Sequence, residues 1–156
     1  MTENIKIVVF SLDDRQYALH LATVERVSSA VEVTPLPKAP EIVLGVINVQ
    51  GAIIPVVNVR RRFHIPEREM RLGDQMLIAR TARRVVALIV DSAQSVVEVS
   101  GDNLIPPKDI VPGTSYLDGI VKLGDGIVLI HDLDRFLSLD EEQALDTALT
   151  KVNNTV

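Results

Sequence analysis

The sequence predicts a mainly β protein built as two small five-stranded barrels that share a core, with an amphipathic helix at the C-terminus. Three observations carry this. The first is an internal repeat. Leu44-Gly45-Val46-Ile47-Asn48-Val49-Gln50-Gly51 and the apolar run Ala52–Val59 reappear as Asp118–Gly126 and Ile127–Leu133, with Gly119 standing 74 residues after Gly45. Upstream, Tyr17–Leu21 overlays Val86–Val90 at an offset of 69, which also sets Pro37 on Pro106. The second is composition. Hydrophobic residues make up 47% of the 156-residue chain and aromatics only 3%, so the core is aliphatic and rich in β-branched side chains, which favour pleated surfaces. The third is a change of period after Ser138, where Ala144, Leu145, Ala148, Leu149 and Val152 recur at helical spacing. A five-stranded unit of about 65 residues is marginal alone, so the two units must lean on each other.

The elements follow in order. Ile5–Leu12 is a nearly unbroken apolar run, as in a strand buried on both faces. Asp13-Asp14 turns the chain, and Gln16–Leu21 returns with Tyr17, Leu19 and Leu21 alternating. Ala22–Val27 fits either a helical turn or a strand. Pro35, Pro37 and Pro40 punctuate a loop, and Pro40 suits the first position of a short helical turn through Val43. Val46–Val49 and Ala52–Val59 make a hairpin. Pro55 has no amide to donate, which places its strand at a sheet edge. The polar stretch Ile65–Asp74 reads as the seam between halves. Met76–Arg80, Val85–Val90, Ser95–Val99, Gly119–Leu123 and Ile127–Leu133 then repeat the plan, and Pro106, Pro107 and Pro112 mark the second long loop. Ser138 and Glu141 have capping-box spacing, with acids crowding the first turn of the helix. The chain thus divides into one domain over residues 5–145, with two pseudo-repeated subdomains and a seam near 65–75, and a helix end and frayed tail over 146–156.

Most chemistry is excluded. There are no cysteines, which removes disulfides and thiolate catalysis and suits a reducing cytosol. His20, His64 and His131 have no companions at ligand spacing, so no metal is expected. Asp132 and Asp134 read as a strand end facing water, because the first repeat has Asn58 and Arg60 in their places. Nucleophile elbows and phosphate-cradling loops are missing, so no catalytic residue and no cofactor are expected. A net charge of −5 and few aromatics speak against nucleic acid, with Arg60-Arg61-Arg62 and Arg83-Arg84 read as solvated strand ends and turns. Val8–Asp14 and Ala87–Asp91 look like pieces of a phosphoacceptor receiver domain, but the alternating helices of a doubly wound sheet are missing. Ile42–Val59 is uncharged over 18 residues, yet Asn48, Gln50, Asn58 and Pro55 argue against direct membrane insertion. The N-terminus has no basic or hydrophobic signal.

The run Pro37-x-x-Pro40-x4-Gly45-Val46-x-Asn48-Val49-Gln50-Gly51-x-Ile53-Ile54-Pro55-Val56-Val57-Asn58-Val59 strongly resembles the CheW family of bacterial chemotaxis-type adaptors. Val9–Asp14 with Tyr17-Ala18-Leu19 resembles that family's first hairpin, and Val85–Asp91 and Gly119–Asp134 its second half. The resemblance covers about residues 5–145. It implies two intertwined five-stranded SH3-like β-barrels and a non-enzymatic scaffold. The implied partners are the regulatory domain of a CheA-type histidine kinase and the tip of a methyl-accepting chemoreceptor. The implied location is the cytoplasm, at membrane-associated receptor arrays. The resemblance also points to a groove between barrels, with Leu12, Val24, Val27 and Val90 as lining, and to Arg26, Gly45, Asn48, Gln50 and Gly51 as further partner-binding positions. Two departures stand out: Gln50 replaces the family's usual arginine, and Arg26 its usual glutamate. Asn58 also stands where an aspartate is usual. The alternatives are an adaptor of a non-flagellar pathway, serving surface motility or gene regulation, and a nucleic-acid-binding double β-barrel.

Overall fold

In the computed structural model, which describes residues 4–106, 117–124 and 126–154, the apolar runs become strands. β1 (Asn4–Leu12) and β2 (Arg15–His20) form the first hairpin. Its turn residues Asp13 and Asp14 both have positive φ, which short polar side chains tolerate. The ambiguous stretch 22–27 proves to hold both expected forms in succession. A 3-10 turn at Leu21–Thr23 leads into β3 (Val24–Ser29). β4 (Val43–Val49) and β5 (Ala52–Val57) form the second hairpin. The strand expected to run to Val59 stops two residues early, because Asn58 caps the short helix α1 (Val59–Arg62). β6 (Gln75–Arg80), β7 (Val85–Val90), β8 (Ser92–Ser100), β9 (Leu117–Leu123) and β10 (Gly126–His131) repeat the order, and α2 (Leu139–Asn154) ends it. Ser138 and Glu141 form the reciprocal bonds of a capping box at its start. Pro107, Pro112 and residues 155 and 156 of the expected tail lie outside the described residues.

The strands form two five-stranded sheets, ordered β8-β1-β2-β10-β9 and β3-β6-β7-β5-β4. Each sheet therefore takes two strands from one repeat and three from the other. The equivalence is exact to the residue. Ile130 pairs with Ala18 and His131 with Leu19 across the parallel β10–β2 contact. Val56 and Val57 pair with Ala87 and Leu88 across β5–β7, and the sequence offsets of 74 and 69 carry one set of pairs onto the other. The expected seam at 65–75 joins α1 to β6, so it lies beside a single sheet. The chain changes sheet instead at the 3-10 turn before β3 and at Asp91 after β7.

Both sheets close in the same way. Thr34, beyond β3, bridges to Val46 on β4, and Ile105, beyond β8, bridges to Ile120 on β9. Gly45 and Gly119 permit this closure. A Cβ on Gly45 would stand 2.3 Å from the Thr34 carbonyl oxygen, and one on Gly119 would stand 2.7 Å from the Leu104 side chain. The repeated glycines thus mark where the closing segment crosses the sheet.

β5 as a whole is not an edge strand, but at Pro55 it is paired on one side only, toward β4. β5 lies between β7 and β4, and the ladder to β7 covers only Val56 and Val57, starting just past the proline. Two apolar clusters fill the barrel interiors, one around Ile7, Val9 and Ile130, the other around Ile47, Val56 and Met76. The largest cluster joins the barrels. It combines Phe10, Leu12 and Leu19 with Leu77, Leu88 and Val90, and α2 covers it with Leu145 and Ala148.

Candidate functional site

The junction between barrels is held at one end by a ladder of charges. Asn58 Oδ1 accepts the Arg61 amide at 3.1 Å, which starts α1 and carries Arg60 toward the β1–β2 turn. Arg60 forks onto both carboxylate oxygens of Asp13 at 2.9 and 3.0 Å, and also donates to Asp91 at 2.9 Å and the Pro66 carbonyl at 2.9 Å. Arg68 forks onto Asp74 at 2.8 and 2.9 Å and donates to the same Asp91 oxygen. Asp91 is thus the keystone. Its other oxygen accepts the Asp13 amide at 2.8 Å, and its own amide donates to the Ser11 carbonyl at 3.0 Å. Paired forks of this kind are the strong form of charge-assisted bonding.

The charges perturb each other in the expected sense. The Arg60 hydrogen bond holds the Asp13 carboxyl below its usual range, and the Arg68 bond does the same for Asp74. Burial pushes Asp91 upward, but the Asp13 amide and Arg60 outweigh it and its acidity increases. Arg68 is held even more firmly in its charged form, chiefly by Asp74. The expectation that the arginine clusters are merely solvated fails for Arg60 and for Arg84, whose side chains are only 10% and 14% exposed. Arg84 pairs with Glu142 and Asp146 of α2. The sequence carried one signal for the ladder: Asp91 ends an otherwise apolar strand beside the point where the chain changes sheet. Of the three acids in the receiver-like fragments, Asp13 and Asp91 do meet, and Arg60 pairs with both.

Two clefts open beside the junction. One, of about 600 Å³, lies between Val33, Leu44, the connection after α1, and Ile89, with the ladder along its wall. The other, of about 390 Å³, lies at the start of α2 between the β6–β7 turn and Leu133–Leu139. Within the shared core His131 is buried and stacks on Phe63 with ring centres 4.2 Å apart. Asp134 is exposed, as a strand end facing water would be, and it also accepts the Ala82 amide, while the half-buried Asp132 accepts the Asp134 amide. His20 Nε2 lies 2.5 Å from Asp118 Oδ2, tying the end of β2 to β9.

The predicted partner-binding residues separate into two kinds. Leu12 and Val90 are fully buried in the shared core, so neither side chain lines an open groove. Gly45 is buried under Thr34 and serves barrel closure. Asn48 and Gly51 build the β4–β5 turn, with the Gly51 amide donating to Asn48 Oδ1 at 2.9 Å. Gln50 and Gly51 both have positive φ, as a two-residue hairpin turn requires, and the Gln50 side chain projects from the tip exposed. Val24 is half-buried, while Arg26 and the 42%-exposed Val27 lie on β3, an edge strand. Among the described residues no hydrogen bond or ion pair joins Arg26 to Gln50.

The CheW-like domain pattern matches residues 6–141, a span that takes in nearly all of both interleaved sheets. The chain belongs to the CheW-like domain family. It is 28% identical over 149 residues to the chemotaxis protein CheW of Treponema pallidum, covering 92% of this chain and 88% of that one. To the chemotaxis protein CheW of Rhizobium meliloti it is 27% identical over 141 residues, covering 89% and 91%. The crystal structure of the scaffolding protein TtCheW from Thermoanaerobacter tengcongensis has the same fold, with a TM-score of 0.80 and 31% identity over 90% of this chain and 96% of that one. In this CheW-like chain Asn58 has a reason of its own. Its Nδ2 donates to Glu67 Oε1 while its Oδ1 caps α1, and an ionised aspartate has no proton to donate.

Proposed function

We propose that this chain is a non-enzymatic adaptor that couples methyl-accepting chemoreceptors to the regulatory domain of a CheA-type histidine kinase. It works in the cytoplasm, at membrane-associated receptor arrays. The observation that carries this reading is the CheW-like match across nearly the whole double barrel. The exposed edge formed by Arg26 and Val27 on β3 and the Gln50 tip of the β4–β5 turn are the surfaces offered to partners. Burying a few hundred Å² there yields gross terms of several kcal/mol at about 25 cal/mol per Å², before ordering costs. Such pairwise affinity is modest and gains from many simultaneous contacts in an array.

Reconstitution tests it. Kinase autophosphorylation is measured with receptor, with and without this protein, alongside co-sedimentation. Coupling raises or lowers the rate and brings the three components down together, whereas an unchanged rate with no co-sedimentation removes the adaptor reading. Exchanging Gln50→Arg with Arg26→Glu sharpens it. Both side chains are exposed, so melting stays within about 0.5 kcal/mol of the parent. Affinity for kinase or receptor changes, because like or opposite charge across an interface is worth up to several kcal/mol.

A further inference from the structure

The larger cleft has an apolar floor that the fold leaves uncovered. Leu44 and Met70 are 43% and 42% exposed there, beside the half-buried Val33 and Ile89. Side chains of this size gathered at one opening form an unmet hydrophobic surface. The volume, about 600 Å³, is that of a site taking a few side chains.

The charge around this floor is one-sided. Five carboxylates line the cleft, those of Glu32, Glu67, Glu69, Asp74 and Asp91, against two guanidinium groups, Arg60 and Arg68. Both arginines are consumed by the ladder, which includes Asp13 as a third carboxylate and so carries an excess negative charge. Glu32, Glu67 and Glu69 stand exposed at the rim. The exposed Arg61 pairs with Glu41 at 2.7 Å and with Glu67 at 3.8 Å, and Asn58 also donates to Glu67, so the uncompensated rim charge is that of Glu32 and Glu69. Arg71 acts on Asp13 and Asp74 and does not line the cleft. The wall is also preset. Arg68 anchors the connection after α1 to Asp74 and Asp91, and the Arg71 amide donates to Asp74 at 2.8 Å, so Met70 sits in a pinned segment.

We propose that this cleft docks a partner-protein segment that inserts a long apolar side chain between Leu44 and Met70 and flanks it with lysine or arginine. An apolar floor supplies the affinity, and the acidic rim selects the sign of the flanking charge. The same rim repels anionic lipid and nucleic-acid backbones. The inference stands on the cleft alone and does not need the adaptor reading.

The test uses the full chain with labelled Ile, Leu, Val and Met methyl groups. It is titrated with a short amphipathic peptide of leucine and lysine, then with the same peptide carrying glutamate for lysine. The lysine peptide shifts the methyls of Val33, Leu44, Met70 and Ile89 saturably, and the glutamate peptide does not. Glu32→Lys with Glu69→Lys weakens binding about tenfold or more, and added salt weakens it in the parent. Met70→Ser weakens it as well. Each of these side chains is exposed, so the melting curves of the variants overlay the parent. Equal response to both peptides, equal shifts at distant exposed methyls such as Ile127 and Val96, or unchanged affinity in the doubly reversed variant overturns the proposal. Kinase reconstitution reads none of these signals, so each reading fails by its own measurement.

Discussion

The two ends of the barrel junction occupy equivalent places in the repeat and are fastened by opposite chemistry. After β5, Asn58 caps a helical turn and Arg60 reaches across to the carboxylate of Asp13 in the β1–β2 turn. After β10, Asp132 caps the corresponding turn and Asp134 reaches across to the amide of Ala82 in the β6–β7 turn. Arg60 and Asp134 are 74 residues apart, and Asp13 and Ala82 are 69 apart, so both ends of each clamp are true equivalents. At one end a cation grips a carboxylate within a five-member ladder. At the other an anion grips a backbone amide, and the apolar Phe136 takes the place of Arg62. The lesson is that the repeat conserves where the barrels are tied together, and leaves open which charge does the tying. The ladder end holds its geometry by electrostatics, and the α2 end combines the burial of Phe136 with the Arg84–Glu142–Asp146 pairs.

The largest expected effect lies at the buried end. Phe136→Ala removes a fully buried ring from the shared core and costs about 4 kcal/mol, while the equivalent Arg62→Ala, which loses a largely buried pair with Glu141, costs about 2 kcal/mol. Urea unfolding of the two variants measures the difference, and equal midpoints would erase the contrast between burial and charge. Next comes the ladder. Arg60→Ala costs about 2 kcal/mol, less than losing a fully buried partner because Asp13 is half exposed.

The ladder also sets acid sensitivity. Asp13, Asp74 and Asp91 all have lower folded than unfolded pKa values, so the folded chain binds fewer protons than the unfolded one. The stability they contribute is full above about pH 5 and is lost as pH falls through their folded values, from about pH 4 downward. Arg60→Ala shows a shallower acid decline than the parent in unfolding curves taken across that range. A steeper or equal decline would mean that the ladder is not the acid-sensitive tie.

The two closure glycines give a smaller contrast. Gly45→Ala forces Cβ against the Thr34 backbone and costs about 2 kcal/mol, whereas Gly119→Ala meets the movable Leu104 side chain and costs about 1 kcal/mol. Thermal melts of both variants rank them. The smallest effect is Asp134→Ala, which frees one exposed amide bond and costs at most about 1 kcal/mol by the same melts. A loss matching Arg60→Ala would make the two clamps energetic equals.

Much of this was legible before any coordinates. Alternation and turn residues marked the hairpins at Asp13-Asp14 and Gln50-Gly51, and the change of period after Ser138 marked α2 with its capping box. The matched motifs announced the family. The candidate site was read less well. Of the positions expected to bind partners, Val27, Arg26 and Gln50 are exposed, whereas Leu12 and Val90 belong to the core. A lone apolar residue at a strand end has the same local signature whether it faces a groove or a neighbouring barrel. Arg60 looked like a solvated strand end because its partners, Asp13 and Asp91, lie 47 and 31 positions away.

The sequence by itself determined the repeated strands, their turns, the terminal helix and the glycines that closure needs, because each depends on side-chain pattern over a few neighbouring residues. Only the tertiary structure decided that the repeats exchange strands, that the chain changes sheet before β3 and at Asp91, and that two arginines and three aspartates converge. Those outcomes depend on which strands pair across more than a hundred residues, as β2 does with β10. Such pairing is settled by competition among burials and registers in the assembled core, and no local period records it.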